Sequence, residues 1–170
     1  MSLRALLASA VLGASLLVSI AAEAAGLAAP SGEVILTVSG RIASTNAGAT
    51  ATYDLAMLDA LPKRATTTET PWTKGVVTFE GPLGAALLDQ VGAEGTTLKI
   101  VALNDYAVEV PVEDFRKWPV ILATHKDGKT MPVRDKGPIF VIYPFDLDRS
   151  LYNEKIFSRS AWQVKSIEVR

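Results

Sequence analysis

Between residue 25 and the C-terminus, no stretch keeps apolar residues at helical spacing for more than about two turns, whereas short alternating or wholly apolar runs recur between Gly, Pro and Asn-Asp turns. A chain patterned in this way cannot lay helix after helix across a parallel sheet, because each crossover needs a connection of a dozen or more residues. The pattern predicts an α+β domain of mixed, mainly β sheet with short helices.

The individual runs support that reading. Val34, Leu36 and Val38 share one face of a strand, and Asn46-Ala47-Gly48 reads as a turn. Asp54 stands as an N-cap before Leu55, Leu58 and Leu61, and Pro62 ends that helix. The Thr-rich stretch 64–71 reads as extended, and a strand over 76–79 follows the Lys74-Gly75 turn. Gly81-Pro82 has the form of a second helix start, with Leu83, Leu87, Leu88 and Val91 inward and Gly92 or Gly95 at its end. Residues 98–103 suit a central strand that turns at Asn104-Asp105 into a hairpin partner carrying Tyr106, Val108 and Val110. One helical turn is expected over 112–118, strands over 120–123 and 139–143, and a tight turn over 126–129. The last strand, 162–169, changes phase near Ser166, as a bulge would produce. Leu83, Leu87, Leu88, Ile100, Ile139, Val141 and Ile167 are expected in one core.

Residues 1–24 read as an address. Arg4, the apolar run from Ala5 to Ile20 and the small-x-small Ala22-Glu23-Ala24 have the form of a secretory signal peptide cleaved after Ala24. The apolar run, about 16 residues, is short of the roughly 20 that a spanning helix needs. The expectation is one exported domain, residues 25–170, in the periplasm or outside the cell.

Composition then narrows the chemistry. The sequence has no cysteine and one histidine, which removes disulfides, thiolate nucleophiles and cysteine-ligated metals. Seventeen Lys and Arg against eighteen Asp and Glu give no basic excess, so nucleic acid is not expected as a partner. No P-loop, Gly-x-Gly-x-x-Gly or Gly-x-Ser-x-Gly segment is present. His125 reads first as a surface or satisfied structural residue and second as a ligand contact. Three loop clusters remain as candidate binding groups: Asn104-Asp105-Tyr106, Arg134 to Pro138, and Arg159 with Trp162. Each has a plainer reading as a hairpin turn, a solvated loop, or a cation packed on a ring.

The order of these landmarks resembles the molybdopterin-binding oxidoreductase domain of the sulfite oxidase type. The matching pieces are Tyr53-Asp54-Leu55 to Pro62, Trp72 with Phe79 to Leu83, Leu103 to Tyr106 with Val110-Pro111, Ile121 to Ala123 with Asp127-Gly128, Lys136 to Pro138 with Tyr143-Pro144, and Trp162 to Glu168. The resemblance covers nearly all of residues 25–170 and implies the same fold. It also implies a pterin cofactor gripped by basic residues, with molybdenum completed by one cysteine thiolate. The position of that cysteine falls among residues 66–69, which here are Thr-Thr-Thr-Glu. A threonine hydroxyl is a poor substitute for a soft thiolate. The resemblance implies that the loops carrying Asn104, Asp105 and Tyr106 converge with Arg134, and secondarily with His125, on one ligand pocket, and Arg159 stands with them as a candidate cofactor contact. Three functions follow as expectations. The first is an exported ligand-binding or sensory accessory domain without metal catalysis, taking a small or pterin-like molecule and working beside a membrane or periplasmic protein. The second is a molybdopterin oxidoreductase with an unusual ligand set, and the third a structural partner-binding domain.

Overall fold

The computed structural model describes residues 26–170; the expected leader and its cleavage site lie outside the described residues. The first strand among the described residues is β1 (Leu36–Gly40), whose Leu36 and Val38 are fully buried, and the chain returns antiparallel through β2 (Ala51–Tyr53). Asn46 closes the connection with its own side chain: its Oδ1 accepts from the Thr52 amide at 2.8 Å and its Nδ2 donates to the Thr52 carbonyl at 2.9 Å.

Helix α1 (Leu55–Asp59) starts where expected because Asp54 caps it. One carboxylate oxygen accepts from the Met57 amide at 2.8 Å, and the other accepts from the Ser31 and Gly32 amides, both at 2.8 Å. These bonds, led by that from Met57, hold the Asp54 carboxyl below the usual carboxylate range. The folded state therefore binds that proton less readily than the unfolded chain. The stabilisation is present above the ordinary carboxylate pKa and is lost as pH falls through the lowered one. Asp54→Ala is expected to flatten the acid limb of the stability curve, measured by urea unfolding between about pH 5 and pH 2. An unchanged limb would show that other carboxylates set it.

The strands β3 (Lys63–Thr68) and β4 (Val77–Pro82) form a long hairpin, and α2 (Gly84–Gln90) follows. Here the sequence expectation needs correction: Pro82 ends the strand rather than opening the helix, which begins after Leu83. The backbone remains committed to sheet contacts up to that point, since Pro82 is opposite Lys63, the Leu83 amide donates to the Pro62 carbonyl and the Gly84 amide to that of Val120. Gly84 is required by packing, because a Cβ there would sit 2.3 Å from the Phe115 ring. Gly92, with φ +60, ends the helix in the left-handed conformation.

Next come β5 (Thr97–Ala102), β6 (Ala107–Pro111) and α3 (Val112–Lys117), then β7 (Ile121–Ala123) and the small hairpin β8 (His125–Lys126) and β9 (Lys129–Thr130). A single 3-10 turn over Val133–Asp135 leads to β10 (Phe140–Ile142). A second 3-10 turn, Arg149–Leu151, precedes α4 (Glu154–Arg159), and β11 (Val164–Val169) closes the chain. Helix α4 has no counterpart among the expected elements. Asn153 caps it by accepting from the Ile156 amide at 3.1 Å, with Glu154 in the first turn and Arg159 in the last.

The strands make three sheets. Five are ordered β2-β1-β11-β5-β6, four β3-β4-β8-β9, and two β10-β7. The first and last strands of the domain pair in parallel, and the expected phase change appears as a register shift between Val164 and Ser166. The mixed, mainly β architecture with short helices is therefore the one observed. Of the expected core, Leu87, Leu88, Ile100, Ile139, Val141 and Ile167 share the main cluster. Leu83 does not. Its extended backbone bridges Ile121, and its half-buried side chain joins a second cluster of Phe79, Ile121, Ala123, Met131, Phe140 and Ile142.

Candidate ligand-binding site

The aromatic residues on the rim of this second cluster surround a concave part of the surface. Trp72, from the loop between β3 and β4, packs its ring 5.4 Å from Phe140, 5.6 Å from Phe157 and 5.8 Å from Trp162. Trp72, Phe157 and Trp162, with Tyr106 from the β5–β6 turn, wall a cavity of about 400 Å³. Its polar groups are few: Asn104, Ser158 and Ser160. No charged side chain among the described residues lines it. An apolar cavity of this size with a small polar set is the usual form of a site for a small organic molecule. Tyr106 and Trp162 are 54 % and 39 % exposed, so two of the four aromatic walls open to solvent.

The supporting shell is local. The Asn104 carboxamide accepts from the Tyr106 amide at 3.2 Å, which leaves its NH2 group pointing no hydrogen bond at the protein among the described residues. Ser158 and Ser160 donate back to the carbonyls of Lys155 and Ile156 at 2.8 and 2.9 Å, leaving their oxygens able to accept. Such a site can stack a flat ring and give it a few neutral hydrogen bonds.

The residues expected to converge are only partly together. Asn104 and Tyr106 line the cavity. Asp105 lies between them but turns outward at φ 65 and takes Lys165 Nζ at 2.6 Å, a bond that holds its carboxyl below the usual range. Arg159 is spent inside the protein: its guanidinium donates to Asp114 at 2.7 Å, and the cation over Trp162 is Lys136, 5.2 Å from the ring centre. Arg134 is outside the cavity, in the 3-10 turn, bordering a smaller pocket of about 130 Å³ that shares Trp72. His125 lies on β8 opposite Glu80, a separate place set by the register of the four-stranded sheet. Its Nδ1 shares a hydrogen bond with the Thr124 hydroxyl at 2.9 Å, and Asp59 approaches the same nitrogen at 3.8 Å. A hydroxyl-imidazole-carboxylate relay needs the two partners on different ring nitrogens, so this cluster is not one. The expectation of a single pocket for Asn104, Asp105, Tyr106, Arg134 and His125 is thus corrected: Asp105 is drawn outward by Lys165, Arg134 borders the smaller pocket and His125 is held on β8, while Arg159, the remaining candidate contact, is taken by Asp114. Trp72, Phe157 and the two serines are the walls that sequence patterning missed. The signal for Phe157 and the two serines was Asn153-Glu154, which marks α4; Trp72 comes from the separate loop between β3 and β4.

A thiolate-ligated metal does not fit these residues. The stretch 66–69 belongs largely to β3, where Thr66 and Thr68 are buried and the Arg64 guanidinium donates to the Thr66 hydroxyl. The chain has no cysteine, and among the described residues no three His, Asp or Glu side chains gather at metal-binding separation.

No protein-family model matches the chain, and neither does any curated protein sequence. Among solved structures, the sulfane dehydrogenase SoxCD from Paracoccus pantotrophus is similar over 79 % of this chain, with a TM-score of 0.59 and 16 % identity. The chain spans 37 % of that protein's chain. At this identity the likeness is one of fold: this mainly β α+β domain is built like part of a much longer oxidoreductase chain.

Proposed function

We propose that the protein is an exported accessory domain that holds a small planar molecule, using a fold of the sulfite oxidase type without the molybdenum chemistry of that type. The observation that carries this reading is the aromatic cavity of about 400 Å³ in a chain that has no cysteine to offer a metal. Export rests on the leader-like residues 1–24. A pterin-like ring is one suitable ligand, since Trp72, Trp162 and Tyr106 offer stacking surfaces and Asn104 a hydrogen-bonding edge. In this reading the partner is a membrane or periplasmic protein that receives or senses the ligand.

The test is native mass spectrometry and molybdenum analysis of protein exported through its own leader. The expected result is a noncovalent small-molecule adduct that disappears in Trp162→Ala, negligible molybdenum, and no oxygen-atom transfer to or from sulfite or sulfoxides. Near-stoichiometric molybdenum with turnover would overturn the reading in favour of a molybdoenzyme with an unusual ligand set. Recovery of the intact N-terminus in the membrane fraction would overturn export as a soluble protein.

A further inference from the structure

The cavity walls are neutral, but its border is not. The smaller pocket that shares Trp72 is bounded by Lys126, Arg134 and Lys136, with Asp135 as its single carboxylate. Lys126 and Lys136 form no ion pair among the described residues. Arg134 is 87 % exposed and reaches only its neighbour Asp135, at 3.9 Å. Asp127, next to Lys126, is engaged by the Thr78 amide at 2.9 Å.

The backbone at this border is held in a conformation that side-chain-bearing residues rarely adopt. Lys136 and Gln163 have φ of 75° and 54°, and the Gln163 amide donates to the Lys136 carbonyl at 3.0 Å. The Gln163 side chain donates to the Val133 carbonyl at 2.7 Å, which ties the 3-10 turn to the start of β11. Neither residue has the short polar side chain that eases left-handed geometry, so the surrounding structure imposes it. The consequence is specific. Trp162 precedes Gln163, and the Lys136 ammonium stands 5.2 Å from the Trp162 ring centre, at the seam between the neutral cavity and the cationic pocket.

We infer that the ligand class is an aromatic acid, its ring against Trp72 and Trp162 and its carboxylate in the small pocket with Lys136 and Arg134. This rests on the reading of the aromatic cavity as a ligand site. The pocket of about 130 Å³ has room for a carboxylate beside its three cationic side chains. The planar guanidinium of Arg134 suits two carboxylate oxygens, and Lys136 adds a point charge beside the ring.

The probes are 2-naphthoate, its neutral counterpart 2-naphthol, and acetate. The readout is quenching of tryptophan fluorescence, to which Trp72 and Trp162 contribute two of the three indoles. Wild type is expected to bind 2-naphthoate about tenfold more tightly than 2-naphthol. Acetate is expected to compete only weakly, and added salt to erode the preference. In Lys136→Met and Arg134→Gln the ratio is expected to fall toward one, with the urea midpoint of each variant confirming that it folds. Equal binding of the two naphthalenes by wild type, or an unaltered ratio in both variants, overturns the inference while leaving the neutral ring site in place. Quenching by neither compound overturns the ring site and the inference together.

Discussion

Asp114→Ala is expected to lower the unfolding free energy by about 3–5 kcal/mol, because it strands a buried cation. Asp114 Oδ2 accepts from Arg159 Nη1 and from Tyr143 Oη, each at 2.7 Å, and the Asp114 and Arg159 side chains are only 8 % and 17 % exposed. Tyr143 is fully buried. Burial first, and the bond to Asp114 second, push its phenol above the usual tyrosine range. The folded state thus holds that proton more tightly than the unfolded chain, and stability is lost as pH rises past the ordinary tyrosine pKa. The three groups come from α3, from α4 and from the residue after β10, so one carboxylate oxygen joins three elements. A buried pair is weak proof of net stabilisation, since two apolar residues of similar volume often do as well. For that reason the informative experiment is a double-mutant cycle. Arg159→Met in an Asp114→Leu background should recover most of the loss seen in either single variant, measured by urea unfolding with an unchanged slope. A cost below about 1 kcal/mol for Asp114→Ala would show that water reaches Arg159 and that the network is not buried in solution.

Phe140→Ala is expected to cost about 3–5 kcal/mol as well, through a different mechanism. Phe140 is fully buried in the second cluster, with edge-on neighbours Trp72 at 5.4 Å, Phe79 at 5.7 Å and Trp162 at 6.1 Å. Removing the ring forfeits its transfer free energy and leaves a void that the paired backbones of β7 and β10 are too constrained to close. Because the same ring backs both indoles of the ligand cavity, the variant should lose ring binding along with stability. Phe140→Leu separates the two effects. It keeps most of the packed volume, so it should fold with a smaller loss while the indoles lose their edge-on support. A Phe140→Ala cost near that of a surface change, below about 0.5 kcal/mol, would mean that the second cluster is not a core.

Much of the local structure was legible because it depends on neighbours in sequence. Asp54 before Leu55, Asn46 before Gly48, Gly92 after Val91 and Asn104-Asp105 before Tyr106 each use a side chain or φ angle to close a turn or cap a helix within a few residues. The bulge near Ser166 was legible for a similar reason, since alternation that changes phase has few other causes. Pro82 misled because proline suits both the end of a strand and the first turn of a helix. The choice fell to the Leu83 and Gly84 amides, whose acceptors belong to residues 62 and 120.

The candidate site was legible only in part. Asn104 and Tyr106 were found because a hairpin turn presents its residues on a rigid scaffold, but their companions come from elsewhere in the chain. Arg159 stood as a candidate binding group, or a cation packed on Trp162, because nothing in the sequence near it reveals a carboxylate at position 114. Lys136 was missed as the cation over Trp162 because that contact depends on the tie between the 3-10 turn and Gln163.

Periodicity and turn chemistry in the amino-acid sequence were enough to determine the class of fold and most of the succession of short strands and helices, α4 excepted, and composition alone gave the absence of any thiolate for a metal. Only the tertiary structure decided that the first and last strands of the domain pair in parallel, that the apolar residues divide between two clusters, and that Trp72, Phe157 and Trp162 meet around one cavity. The physical reason is range: backbone preference and alternation act over a few residues, whereas which aromatic meets which, and which charge is already paired, depends on contacts between segments tens of residues apart.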